Sequence, residues 1–322
     1  MDNLTHSLVG WALAETGLKR RTRKGLAACV LAANMPDIDV FFGWSPWAPL
    51  AMHRGFTHGL VGGVLVMPPI LAALLWLLDR WQVRRGARFG SGPGMHTGWL
   101  VALCYLGALT HPLLDLQNTY AVQLFSLASS RWFHTDGLFI ISPWLLAMLG
   151  TGIALSRRRA AKQSGRAAVA SLMVVLVFIG GNIAISQMAR TALAKSPPHA
   201  DPDRVFAGPE PIAFWRREMV WREAGRVAHG NYDPLRRPFA LLDYTPASPD
   251  HMSDSLVQKA ERISPELRDF LDWSQVPFAR IKRGRCSARV EVGDARFAGE
   301  RFARSFRVDV EVPLELRGCQ AR

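Results

Sequence analysis

His53-Arg54-Gly55-Phe56-Thr57-His58 sets two imidazoles five residues apart around a glycine, and Pro36-Asp37-Ile38-Asp39 lies shortly before it. Imidazole nitrogens and carboxylate oxygens are a usual ligand set for zinc and similar divalent ions. On one continuous helix His53 and His58 share a face poorly, whereas a turn at Gly55 lets both point at one ion. Asp37 and Asp39 flank Ile38 and precede Val40-Phe41-Phe42. Carboxylates in so apolar a setting are costly unless paired or bound to a metal. The bland reading is a helix end with solvated carboxylates.

His111-Pro112-Leu113-Leu114-Asp115 adds an imidazole and a carboxylate at i and i+4, on one helical face. Such a pair supplies two metal ligands, or one ligand and the carboxylate that orients it. Its bland reading is a hydrogen-bonded pair inside a helix bundle. Thr5-His6-Ser7 contributes a further imidazole. Arg54 suits a negatively charged substrate group or transition state, or equally a lipid headgroup. His134 and Asp136 are weaker candidates. His96, His199, His229 and His251 receive no role, and no Walker A loop, Rossmann glycine pattern, HExxH or GxSxG is present.

The elements that must position these residues are membrane-grade. A hydrocarbon core of about 30 Å needs about 20 helical residues. Gly59–Leu78, Gly137–Leu155 and Ala167–Met188 are uncharged runs near that length, and Gly98–Leu114 is slightly shorter. Asn3–Leu18 and Gly25–Gly43 are short or interrupted, and read as a hairpin of membrane-embedded or re-entrant helices. Three basic clusters separate the runs: Lys19 to Lys24, Arg80 to Arg88, and Arg157 to Arg166. By the positive-inside rule they mark cytoplasmic loops, so the net charge of +13 reads as topology and not as a nucleic-acid surface. The first residues do not read as a cleavable leader. On this map His6, Asp37, Asp39, His53, His58, His111 and Asp115 come from separate segments yet converge on one depth at the outer face. The cytoplasmic halves of the helices are nearly bare of such groups, which disfavours an ion or proton pathway.

With these residues assembled, the chain resembles the bacterial membrane-bound metal-dependent hydrolase family, which includes YdjM-like inner-membrane proteins. Thr5-His6-Ser7, Pro36-Asp37-Ile38-Asp39, the His53 to His58 motif and His111 to Asp115 carry the resemblance, over roughly the first 155 residues. Gly59 stands where members commonly have Ser. The tail is also similar to that of longer members, around Trp215, Gly230 to Asp233, Phe270 to Trp273 and Gly293 to Phe297. The resemblance implies a metal site, a hydrolase and an inner-membrane location.

The expected architecture is an α-helical membrane bundle of about four to six helices over residues 1–194, with a soluble α+β domain over 195–322, outside the cytoplasm. In that domain Ala213–Arg222, Gly225–Tyr232, Arg289–Val292 and Phe302–Val312 read as strands, and Ser253–Arg262 and Pro265–Trp273 as helices. Its basic excess would suit anionic headgroups, and Cys286 and Cys319 can pair if it lies outside. The expected function is metal-dependent hydrolysis at the outer face of the bacterial inner membrane, with a lipid or lipid-linked phosphoester as substrate. One or two divalent ions, zinc first, would be held by His6, Asp37, Asp39, His53, His58, His111 and Asp115. Asp39 would accept a proton and Arg54 would stabilise negative charge. The alternative is a non-enzymatic membrane interaction protein with a structural metal or a buried His/Asp network.

Overall fold

The structure is a computed structural model. It describes residues 1–41, 54–89, 92–158, 164–196, 201–237, 239–241, 245, 247–298 and 306–314. His53 and Cys319 lie outside the described residues, as does the first part of the strand expected at Phe302–Val312. The chain forms two units that divide within one helix, between residues 183 and 184.

The first unit is helical. It comprises α1 (Asn3–Glu15), α2 (Gly25–Asn34), a 3-10 segment (Met35–Phe41), a π-helical turn (Leu60–Val66) running into α3 (Met67–Arg84), α4 (Thr97–Asp115), α5 (Pro143–Arg158) and the first part of α6 (Ser164–Ala194). Among the described residues, three helical stretches are long and apolar enough to cross a membrane: Leu60–Arg84, Thr97–Asp115 and Gly165–Ala194. α1, α2 and α5, at 13, 10 and 16 residues, are shorter than a span requires. The apolar run read from Gly137 becomes helical only at Pro143. Proline favours a first helical position because its missing N–H has no partner to lose there.

Small residues bring α1, α2 and α4 together. A Cβ on Gly10 of α1 would stand 2.6 Å from the Cys29 carbonyl oxygen of α2, and a Cβ on Gly107 of α4 would stand 2.6 Å from the same atom. Only glycine permits either approach, so α2 is gripped on two sides at Cys29. Ala14, Ala28, Ala32, Leu71, Leu100 and Leu103 fill the core around this contact. A second cluster joins Val9 and Ala12 of α1 to Leu145, Leu149 and Ile153 of α5 and Val175 of α6.

The second unit is α+β. An antiparallel sheet has the order β1 (Arg204–Pro209), β2 (Arg217–Glu223), β3 (Arg226–Tyr232), β4 (Ser248–Pro249). Ala224 and Gly225 link β2 to β3, both with positive φ (48° and 68°), the conformation of a tight two-residue hairpin. Met219 and Trp221 pack on Ala189, Ala192 and Leu193 at the end of α6, while Val220 joins Phe206, Val227 and Val276 in a separate cluster. A three-stranded antiparallel sheet follows, ordered β5 (Pro277–Arg283), β6 (Ser287–Asp294), β7 (Arg307–Pro313), with α7 (Ser255–Ile263) and α8 (Pro265–Trp273) packed on it. Ser264 caps α8 through Leu267 N, and Pro265 takes its first position. β1 and β5 were not anticipated from sequence. Cys286 is disulfide-bonded.

Candidate metal centre

The centre lies wholly in the first unit, and local chain geometry delivers each ligand. Asp2 caps α1, accepting from Thr5 N at 3.0 Å, and so fixes the turn that carries His6. Four residues on from His6, Gly10 sits against Cys29, and four residues before His111, Gly107 does the same. The imidazoles of His6 and His111 therefore arrive side by side, stacked with centroids 3.9 Å apart. Asn34, at the end of α2, donates to Ser7 Oγ at 3.0 Å and holds that end of α2 beside α1. The tightened segment beyond it turns Asp37 inward and leaves Ile38 about half exposed. His58 sits just before the π-helical turn. Gly62 and Gly63 let the chain just before it pass close: a Cβ on Gly62 would lie 2.2 Å from the Phe56 carbonyl oxygen, and one on Gly63 2.3 Å from that of Thr57.

His6, His58, His111 and Asp115 are fully buried, and Asp37 nearly so. His58 Nε2 is 3.1 Å from Asp37 Oδ1 and 3.5 Å from Asp115 Oδ2. His111 Nε2 is 3.5 Å from Asp37 Oδ1 and 3.4 Å from Asp115 Oδ2. Donors sharing one tetrahedral zinc at ~2.0–2.1 Å stand roughly 3.3–3.4 Å apart, and these four separations bracket that value. His6 Nε2 approaches the other oxygen of the same carboxylate, Asp115 Oδ1, at 3.5 Å. Two overlapping groups could therefore hold a metal: Asp37, His58 and His111, and His6, His111 and Asp115.

The remaining ring nitrogens point to the same conclusion. His111 Nδ1 lies 2.7 Å from the Ala33 carbonyl oxygen, which can only accept, so Nδ1 carries the proton and Nε2 presents a lone pair. His58 Nδ1 lies 3.1 Å from Thr57 Oγ1, and that hydroxyl donates to Asp39 Oδ2. On its other side His58 Nε2 lies at hydrogen-bond distance, 3.1 Å, from Asp37 Oδ1. The His111 lone pair then faces two carboxylate oxygens, acceptor against acceptor, in a buried space. A cation among them, or protonation of the rings, resolves the conflict. Hydrogen-bond geometry is met at neither nitrogen of His6, nor at His111 Nε2 or Asp115 Oδ2. Buried polar atoms are rarely left so, and donors of these types fit a divalent ion.

Asp39, a candidate ligand and base by sequence, is placed behind His58, with its Oδ2 3.8 Å from His58 Nδ1 and bonded to Thr57. Arg54 is buried, with Nη1 3.4 Å from Asp115 Oδ2, 3.3 Å from the Ala121 carbonyl oxygen and its guanidinium over the Tyr120 ring. The Met1 backbone nitrogen also reaches Asp115 Oδ1. His134 pairs with Asp136 at 3.0 Å, separately from the cluster. Asn118 was missed: it donates to Asp115 Oδ1 at 3.2 Å and accepts from Arg54 at 3.4 Å. Its position three residues after Asp115, in the turn just past the end of α4, was the available signal. Thr57 was also missed, and only the neighbouring Asp39 could have hinted at it.

No curated protein and no solved structure matches the chain. A family model described as YdjM inner membrane protein matches residues 1–189, the part that carries every helix of the first unit and the whole His/Asp centre, and the chain belongs to that family.

Proposed function

We propose that the protein is a metal-dependent hydrolase of the inner membrane, acting on a lipid or lipid-linked phosphoester. The observation that carries the metal part of this reading is the buried confrontation of His58 Nε2 and His111 Nε2 with Asp37 Oδ1 and Asp115 Oδ2 at 3.1–3.5 Å. Those four side chains would hold the first ion, zinc or a chemically similar one, and His6 would serve a second ion through Asp115 Oδ1. Bound there, a divalent ion would polarise a phosphoryl oxygen and make water a usable nucleophile near neutral pH.

The chain's own groups supply the rest. Arg54 places a cation beside Asp115 and can offset negative charge that develops on a phosphoester. Asn118 orients both Arg54 and Asp115. Asp39 and Thr57 hold the His58 ring, and Asp39 is a carboxylate beside the ligands without being among the four. The basic turns put the ligand-bearing ends of α1, α2 and α4 on the outer side, at headgroup depth, which favours a substrate anchored in the bilayer. The same map sets the C-terminal domain in the periplasm, where a disulfide at Cys286 persists.

The test is elemental analysis of purified wild type beside His58→Ala, followed by hydrolysis assays on lipid phosphoesters. The expected result is about one or two equivalents of a divalent metal in wild type, a marked fall in the variant and turnover only in wild type. Equal metal content in both removes His58 as a ligand. Metal without turnover favours a structural site, and no metal in either favours a proton-bridged His/Asp network.

A further inference from the structure

We propose that the turn between α1 and α2 forms a second site, which binds the phosphate of an anionic phospholipid. The turn and the loop after α3 border an open cavity of about 580 Å³, lined by Lys19, Arg20, Arg23 and Lys24 together with Phe89 and the first turn of α2. It lies in the first unit, at the opposite ends of α1 and α2 from the metal centre.

Three features distinguish this cavity from basic residues that merely mark topology. First, the cations are built into the wall. Arg23 pairs with buried Asp79 at 2.8 Å, Lys24 bonds Gln82, and both lie over the Phe89 ring at 4.5 and 5.1 Å. Backbone bonds hold the frame, with Arg23 N donating to the Gly94 carbonyl oxygen at 3.0 Å and His96 N to Thr22 Oγ1 at 2.8 Å. Second, Gly25, Leu26 and Ala27 of the first turn of α2 line the cavity. Gly25 N donates to the Thr22 carbonyl oxygen at 3.1 Å, and the first turn of a helix carries its positive dipole end, which favours an anion. Third, the charge is unbalanced. Residues 19–24 and 80–88 carry nine Lys and Arg, against Glu15 and Asp79 as the acidic residues at these ends of α1 and α3. Leu26, Ala27 and Phe89 supply apolar wall beside these charges, so the cavity suits a group that is anionic at one end and hydrocarbon at the other. Basic pockets at the ends of membrane helices take lipid headgroups on these grounds.

The test uses the full chain, delipidated in neutral detergent, with binding of phosphatidylglycerol and phosphatidylcholine followed by native mass spectrometry. Phosphatidylglycerol should bind and phosphatidylcholine should not compete with it. Arg20→Gln should weaken that binding about fivefold. Leu26→Glu should weaken it at least as much, while a carboxylate in the first turn supports folding of α2. Arg157→Gln with Arg158→Gln removes two cations outside this cavity and should leave binding unchanged. Equal binding of both lipids, or equal loss in the Arg157/Arg158 variant, overturns the proposal. Displacement of the lipid by millimolar inorganic phosphate would overturn the lipid as occupant and assign the cavity to a soluble anion.

Discussion

Buried charge is handled in opposite ways in the C-terminal unit and at the His/Asp centre. In the C-terminal unit the buried charges of Asp294, Arg217 and Asp250 each meet hydrogen-bond partners of the fitting kind. Asp294 receives Arg296 Nε at 2.8 Å and Nη2 at 2.8 Å, and also accepts from Ser274 and from Gln275 N. Arg217 donates to Ser186 Oγ and to the carbonyl oxygens of Phe214 and Arg216. Asp250 accepts from Ala279 N and Met252 N. In the membrane unit three imidazoles and two carboxylates share one buried space while several of their lone pairs oppose one another. Satisfied networks specify a fold, whereas an unresolved one marks a place built for something else.

The largest test of that contrast is Asp294→Ala. Stranding buried Arg296 should cost about 3–5 kcal/mol, read as a lowered Tm of the intact protein, with metal content unchanged. Parallel loss of metal would show that the two regions do not differ in role. The same carboxylate predicts an acid limb. Burial acts to raise the Asp294 pKa, but the Arg296 guanidinium and the hydrogen bond from Ser274 outweigh it and hold the group below the usual carboxylate range. Its stabilising contribution is therefore fully present above the unfolded value of ~3.9. It is lost as pH falls from there through the depressed folded value. Asp294→Asn should flatten the dependence of Tm on pH in that window.

Gly107→Ala comes next. The added methyl meets the Cys29 carbonyl, so the backbone must move, at about 1–3 kcal/mol. Because His111 lies one turn on, metal content should fall along with Tm, unlike in the tail variant. Thr57→Val sharpens the comparison further. It keeps the shape of the side chain and removes the hydroxyl between His58 and Asp39. Metal affinity should drop about 10–100-fold, measured by competition with a chelator, with little change in Tm. An unchanged affinity would mean that Asp39 plays no part in holding His58. The smallest effect is expected at Ala224→Gly, which relieves a left-handed alanine in the β2–β3 turn. A gain of about 1 kcal/mol should appear in thermal unfolding, with metal content unaltered.

Legibility in the sequence followed chemistry more than geometry. His58, His111, Asp37 and Asp115 stood out because titratable groups are expensive beside apolar runs, and the structure places all four together. Thr57 and Asn118 were invisible because a hydroxyl and an amide carry no such cost and occur everywhere. Gly10 and Gly107 were equally silent, since a glycine in an apolar helix says nothing until its neighbour is known. The stretch from Gly137 looked like a span because hydropathy counts apolar atoms and not helical dihedrals, and the helix waits for Pro143. In the tail, the β2–β3 hairpin was readable as two runs, Ala213–Arg222 and Gly225–Tyr232, joined by a short turn, although β2 begins only at Arg217. β1 and β5 were not, because Gly208 and Pro209 interrupt the first and basic residues dominate the second.

The π-helical turn at Leu60–Val66 carries a further consequence. Such a turn is an α-helix with one residue inserted, and each residue of a helix advances about 100° around its axis. Deleting a single residue within it should return the segment to ordinary α-helix and leave the span through Arg84 intact. It would also swing the preceding chain, and His58 with it, by about a quarter turn away from Asp37. The insertion thus acts as a phase offset between a helix that satisfies the bilayer and a side chain that must face the opposite requirement. It separates in sequence two demands that one uninterrupted helix could not meet together.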